Sequence, residues 1–144
     1  MKNRLASANI ATKARRGAAA LSAARVALGV TALAFPSVVA RPWVGATGDD
    51  LAARVLGRAL GARDIALGLG ALAALRNGGP ARPWLAAGAL SDAFDIGSSV
   101  AAWQELPRVT RWLVVASAGG ATLAGVAGAL AQRPATATRP SGSC

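Results

Sequence analysis

The sequence predicts an all-α fold, specifically an integral membrane four-helix bundle. Three observations support this prediction: the composition, the spacing of the apolar runs and the placement of the basic residues. Hydrophobic residues make up 53% of the 144 residues and charged residues only 15%, whereas soluble domains carry about a quarter charged residues. The alternative is a soluble alanine-rich bundle, which would need polar outer faces that most of this chain does not supply.

The first 17 residues hold five basic residues and no acidic residue, which predicts a basic cytoplasmic tail over 1–17. A cleaved export signal is the alternative, because Arg15-Arg16 precedes an apolar run and Val38-Val39-Ala40 resembles a cleavage site. Arg25 lies inside the apolar run, and the run is long for an export signal. These two features favour a retained first span.

A membrane domain is predicted over 18–132, with spans at about 18–40, 51–75, 83–103 and 109–131. The fourth contains 20 residues without a charge, from Trp112 to Ala131, which is long enough to cross a bilayer.

Local signals refine the ends of these spans. Pro36 lies late in the first span and predicts a last turn that is kinked or already loose, and Asp49 or Asp50 is placed to cap the second. Residues 133–144 are rich in Pro, Thr, Ser and Gly, which predicts a disordered tail.

The charges between the spans predict the topology. With the N-terminus inside, the inner segments hold only basic residues: Lys2, Arg4, Lys13, Arg15, Arg16, Arg76, Arg82, Arg133 and Arg139. The outer loops are nearly balanced, with Arg41, Asp49, Asp50, Glu105 and Arg108. This asymmetry follows the positive-inside rule, and all four tryptophans fall at span ends, as in an aromatic belt. We therefore expect a multi-pass protein of the cell (plasma) membrane with both termini in the cytoplasm.

Six charged residues fall within the predicted spans: Arg25, Arg58, Arg63, Asp64, Asp92 and Asp95. Each would cost about 2.5–3.5 kcal/mol at a helix centre. We therefore expect these three positive and three negative groups to pair or to line a hydrated cavity. The network could be purely structural, or it could bind a ligand, a proton or a substrate. Depth in the spans places Arg63 or Arg25 opposite the pair Asp92 and Asp95, which share one helix face.

Glycines in the second predicted span indicate close helix packing. Gly57, Gly61 and Gly68 lie on one seam with Asp64, and small residues let another helix backbone approach.

Other chemistry is poorly represented. Without His no Ser-His or Cys-His nucleophile can form, and the single Cys144 rules out an internal disulfide. The Asp92-x-x-Asp95 pair could hold Mg²⁺ for diphosphate chemistry, but no second acidic motif accompanies it. The net charge of +10 is not concentrated in a basic element interleaved with aromatics, which argues against nucleic-acid binding. We expect no catalytic residue, metal or cofactor.

The pattern Arg25-x-x-x-Gly29, Arg58-x-x-Gly61-x-Arg63-Asp64-x-x-Leu67-Gly68 and Asp92-x-x-Asp95 resembles a family of small four-span actinobacterial membrane proteins of uncharacterised function. More loosely, the chain is similar to the DoxX-like group. The resemblance covers about residues 20–131 and implies a four-helix membrane fold, without an activity, substrate or cofactor. The chain also resembles small multidrug exporters in size. Those proteins use a glutamate in the first span, where this chain has Arg25.

The leading hypothesis is a non-enzymatic accessory or interaction protein with a buried Arg/Asp network. One alternative is a proton- or ion-coupled transporter that uses Asp64, Asp92 and Asp95. A weaker alternative is a membrane enzyme that acts on a lipid or isoprenoid. The expected partner is the lipid bilayer; a homodimer or a complex with another membrane protein stays open.

Overall fold

The computed structural model describes residues 2–131, except for the side chains of residues 2–8, 10, 109, 114, 117, 118, 121, 124, 125 and 127–131. Within this range every regular element is helical, so the all-α prediction is confirmed. The elements are α1 Lys2–Ala34, α2 Pro36–Val44, a 3-10 turn Gly45–Asp49, α3 Leu51–Arg76, α4 Arg82–Ala101 and α5 Arg108–Ala131. The predicted tail 133–144 and Cys144 lie outside the described residues.

The first helix differs from its predicted bounds at both ends. It begins at Lys2 and continues for 33 residues, so the basic segment forms one helix with the predicted first span. It ends at Ala34 because Phe35 leaves helical geometry (φ −130°) and Pro36 opens α2. Proline lacks an N–H and clashes with the preceding turn. The kink expected at Pro36 is therefore a complete helix break.

Helices α3, α4 and α5 begin and end close to the predicted span limits, whereas α2 matches no predicted span. Asp50 is the N-cap residue of α3, but its side chain makes no capping hydrogen bond. Its backbone carbonyl instead accepts a hydrogen bond from the N–H of Arg54 at 3.0 Å. Pro83 lies in the first turn of α4, where its missing N–H costs no helical hydrogen bond.

The helices pack in two pairs, α1 along α3 and α4 along α5, which are joined by contacts of α3 with α4 and of α1 with α5. Small side chains dominate the interior: one cluster contains Ala18, Ala71, Leu75, Ala81 and Leu85. Large apolar side chains instead face outward on several helices, among them Leu28, Leu69, Leu90, Phe94, Trp112 and Leu123. The described surface is therefore unusually apolar, and the described core is built mainly from small residues.

Among the described residues, one helical segment, Ala11–Ala34, is long and apolar enough to cross a membrane. The four-span arrangement stays a prediction.

Glycines set the closest approach of α1 and α3. A Cβ atom at Gly29 would lie 2.5 Å from the carbonyl oxygen of Gly61, and one at Gly61 would lie 2.7 Å from the carbonyl oxygen of Gly29. A Cβ at Gly68 would lie 2.7 Å from the carbonyl oxygen of Ser22. Gly57 faces α2, where its Cβ would lie 3.3 Å from the Cβ of Pro36. The seam of Gly57, Gly61 and Gly68 thus faces α1 and α2.

Candidate functional site

Arg25 on α1 joins three helices through two ion pairs. Its Nη1 atom donates to Oδ1 of Asp64 on α3 at 3.0 Å, and its Nη2 atom donates to Oδ2 of Asp92 on α4 at 2.5 Å. All three side chains are shielded from solvent, with 11%, 12% and 10% of their area exposed, respectively. Planar guanidinium groups suit such a bridge because their donors point in fixed directions.

Arg63 extends the arrangement toward the surface. Its Nη2 atom lies 3.2 Å from Oδ1 of Asp64 and 3.0 Å from Oδ2 of Asp95, and its Nη1 atom donates to Oδ1 of Asp95 at 3.3 Å. The side chains of Arg63 and Asp95 are 30% and 25% exposed. The result is a continuous series, Asp92–Arg25–Asp64–Arg63–Asp95, which we call the Arg/Asp network.

Helical spacing and close helix packing explain how the network forms. Asp92 and Asp95 are three residues apart on α4, so both carboxylates lie on one face. Gly88 is one turn earlier on the same face, and a Cβ there would lie 3.4 Å from Nη2 of Arg25. This distance is an ordinary van der Waals contact, so Gly88 marks the face of α4 against which the Arg25 guanidinium packs. The backbone contact of Gly29 with Gly61 holds α1 and α3 together about one turn away.

Arg58, expected among the six buried charges, lies outside the network. It is exposed, and its Nε atom donates to the carbonyl oxygen of Leu33 at 3.3 Å. Because Arg58 precedes Asp64 by six residues, the two side chains point about 120° apart around α3. Arg58 thus satisfies a free carbonyl in the last turn of α1. Without it the network contains two guanidinium groups and three carboxylates, with a formal charge of −1.

Two serines near the network form hydrogen bonds within their own helices. The hydroxyl of Ser22 donates to the carbonyl oxygen of Ala18 at 2.8 Å, and that of Ser99 donates to the carbonyl oxygen of Asp95 at 2.7 Å. Among the described residues, no buried side-chain nitrogen or oxygen atom lacks a hydrogen-bond partner. The described polar interior is therefore satisfied.

A cavity of about 10 Å³ lies beside the network, lined by Ser22, Arg25, Gly68, Trp84, Gly88 and four apolar neighbours. This volume is close to the minimum needed for one water molecule. The site therefore has no room for an organic substrate next to Arg25. In the described part of the chain, no group of three or more His, Cys, Asp or Glu residues is arranged to hold a metal ion.

Sequence reasoning missed two arginines whose side chains donate to backbone carbonyls at helix ends. Arg15, assigned to the basic tail, donates from Nη2 to the carbonyl oxygen of Leu75 at the end of α3. Arg111 donates to the carbonyl oxygens of Leu106 (2.8 Å) and Gln104 (2.9 Å) in the turn before α5. In both cases backbone carbonyl oxygens accept the hydrogen bonds from the guanidinium. For Arg15, whose acceptor is 60 residues away, only the tertiary packing shows which carbonyl is within reach.

A second kind of ion pair lies outside the predicted spans. Arg41 Nη2 and Asp49 Oδ2 are 2.5 Å apart, with 64% and 45% of the two side chains exposed. The hydrogen bond from Arg41 lowers the pKa of Asp49, and the same bond raises the pKa of Arg41.

No protein family, curated protein or solved structure matches this chain.

Proposed function

We propose that the protein is a small multi-pass integral membrane protein without enzymatic activity, whose Arg/Asp network holds its helices in register. It would reside in the plasma membrane, with the start of α1 and the end of α5 on the cytoplasmic side, and serve as an accessory or interaction protein. The observation that carries this proposal is the bridge from Arg25 on α1 to Asp64 on α3 and Asp92 on α4.

Residence in the membrane is supported by three independent features. The segment Ala11–Ala34 is long and apolar enough to cross a bilayer. Large apolar side chains such as Phe94 and Leu123 are 67% and 73% exposed, which suits lipid better than water. Basic residues without acids occupy one side of the predicted topology.

A structural role for the network follows from the cost of buried charge. A single unpaired Arg or Asp at a helix centre costs about 2.5–3.5 kcal/mol on insertion scales. Each arginine in the network contacts two carboxylates, and all of these contacts except Arg63–Asp64 link different helices. Such a network disfavours other helix arrangements, because each would leave a charge unpaired.

Proton- or cation-coupled transport is the second candidate, and the formal charge of −1 favours it. Three carboxylates share two guanidinium groups, so binding one proton or one monovalent cation would neutralise the network. The side chain of Asp95 is 25% exposed, so a proton or cation could reach the network from the surface at this residue. In this role Asp64, Asp92 and Asp95 would be the titrating groups.

The variant Asp92→Asn separates the two candidates. In the structural role, the variant loses several kcal/mol of unfolding free energy in detergent, and proteoliposomes containing the wild-type protein show no pH-driven proton or cation uptake. In the transport role, the wild-type protein catalyses such uptake and Asp92→Asn stays folded but abolishes it. Asp50→Asn is the matched control, because Asp50 is exposed outside the network. A chain recovered in the alkaline-carbonate-soluble fraction would refute membrane residence itself.

A further inference from the structure

A second cavity lies away from the network, between α4 and α5. It has a volume of about 400 Å³, within the range of ligand sites. It is lined by Arg82, Ala86, Ala89, Leu90 and Ala93 of α4 and by Thr122 and Val126 of α5. We call this the α4–α5 groove. Apart from Arg82 and the hydroxyl of Thr122, its walls are apolar side chains.

The groove follows one face of α4. The α4 residues that line it recur at spacings of three and four, as residues on one helix face do. From Arg82 to Ala93 the helix rises about 16 Å. This length is about half the roughly 30 Å thickness of a bilayer hydrocarbon core, or one leaflet. A single acyl chain entering beside Arg82 would thus be covered along most of its depth in that leaflet.

Basic residues at one end of the groove indicate the charge of the ligand that would bind there. Arg82 is exposed and forms no ion pair with the described acidic residues. Other exposed basic residues share this end of the bundle: Arg76 is the last residue of α3, and Arg15 reaches the carbonyl oxygen of Leu75. No acidic side chain lines the groove. An anionic phosphate is the group that such an end attracts.

From these features we propose that the α4–α5 groove binds one acyl chain of an anionic phospholipid, with its phosphate against Arg82. The inference rests on the proposed membrane residence and adds a specific lipid site on the cytoplasmic side. The arginine supplies a charge-assisted contact with phosphate oxygens, and the alanines leave the space that the chain fills.

Native mass spectrometry of the full-length protein in detergent tests the site, with phosphatidylglycerol as probe and phosphatidylcholine of the same acyl chains as reference. We expect one phosphatidylglycerol to be retained. Arg82→Gln should weaken its binding about fivefold, the effect expected from losing one cation near an anionic lipid. Ala86→Phe, which fills the groove, should reduce binding to the level of phosphatidylcholine.

Matched variants test whether position in the groove matters. Arg76→Gln removes a charge at the same end, and Ala87→Phe adds the same ring one residue along α4; both residues are exposed and neither lines the groove. Ala87→Phe should bind like the wild-type protein, and Arg76→Gln should lose less affinity than Arg82→Gln because Arg76 does not line the groove. Equal losses from Arg76→Gln and Arg82→Gln would overturn the proposal in favour of general attraction to the basic end. Unchanged binding in Ala86→Phe would overturn it as well.

The remaining outcomes separate this site from other occupants and from the proposed function. A dimer that carries no lipid and dissociates in Ala86→Phe would show that a second copy of the chain occupies the groove. Equal retention of phosphatidylcholine and phosphatidylglycerol would show that Arg82 does not select an anionic headgroup, and would overturn the proposal. Failure to integrate into membranes refutes the proposed function, whereas an integrated protein that retains no phosphatidylglycerol refutes the groove site alone.

Discussion

Two ion pairs in this protein have the same separation but very different surroundings. The pairs Arg25–Asp92 and Arg41–Asp49 are both 2.5 Å apart at their closest atoms. The first has 11% and 10% of its side chains exposed, and the second 64% and 45%. Solvent and salt weaken the attraction in the exposed pair, while removal of one partner from the shielded pair leaves a charge without hydration. Burial, rather than distance, therefore determines what each pair contributes.

The pair Arg63–Asp95 falls between these two extremes. Its atoms are 3.0 Å apart, and its side chains are 30% and 25% exposed. The protein thus contains a graded series of Arg–Asp pairs, in which the consequence of breaking a pair should follow its exposure.

The largest effect is expected from Arg25→Gln. This change leaves the shielded carboxylates of Asp64 and Asp92 without their shared partner, and the cost of such a loss is about 3–5 kcal/mol. Chemical unfolding in detergent measures it. Arg58→Gln is the control, because Arg58 is exposed and contacts only a backbone carbonyl in the described interactions. Equal stability of the two variants would mean that burial does not control the energetics.

A change at the helix contact tests whether geometry or charge holds the shielded pair. Gly61→Ala places a Cβ 2.7 Å from the carbonyl oxygen of Gly29, so α1 must move away from α3, at a cost of about 1–3 kcal/mol. Gly97→Ala is the control: a Cβ there meets nothing within 4 Å, and alanine favours the helix. The prediction fails if both variants shift the unfolding free energy in the same direction.

An intermediate effect is expected from Asp95→Asn. The partly exposed Arg63 keeps Asp64 and gains access to solvent, so the loss should be about 1–2 kcal/mol, between the values for surface and buried pairs. A double-mutant cycle with Arg63→Gln measures the coupling of the two side chains. A loss as large as that of Arg25→Gln would contradict the graded series.

The smallest effect is expected at Arg41–Asp49, and it depends on pH. Because folding lowers the pKa of Asp49 through its hydrogen bond from Arg41, the stabilisation is present above the unfolded carboxyl pKa of about 3.9. It is lost as the pH falls through the lower folded-state pKa. Comparing the acid unfolding of the wild-type protein and Asp49→Asn measures this contribution. A difference that survives high salt would be inconsistent with an exposed ion pair.

Helix positions were largely predictable from the sequence, because long apolar runs between Gly, Pro and acidic turns limit where helices can lie. The break before Pro36 was harder to place. Proline disrupts a helix that continues from the preceding turn, but a kink and a complete break satisfy that constraint equally well. Only the packing of α2 against the 3-10 turn and α3 distinguishes them.

The sequence predicted which residues belong to the Arg/Asp network better than it predicted which of them form ion pairs with each other. The spacing of Asp92 and Asp95 predicts that they share one helix face. A charged residue within an apolar run predicts a partner of opposite charge. Arg58, like Arg25, is a charged residue within an apolar run. It lies on a different face of α3 from Asp64, however, and donates to a backbone carbonyl. Which face meets which neighbour depends on the rotation of each helix in the bundle, and a single sequence does not specify that rotation.

The bridge made by Arg25 also has a consequence for the order of synthesis. Asp64 follows Arg25 by 39 residues and Asp92 follows it by 67. At about 5–20 residues per second, α1 waits about 2–8 s for its first carboxylate partner. If α1 enters the bilayer as proposed, an unmatched guanidinium must spend this interval near water or in the insertion machinery. The newly made chain would therefore depend on that machinery until α3 arrives.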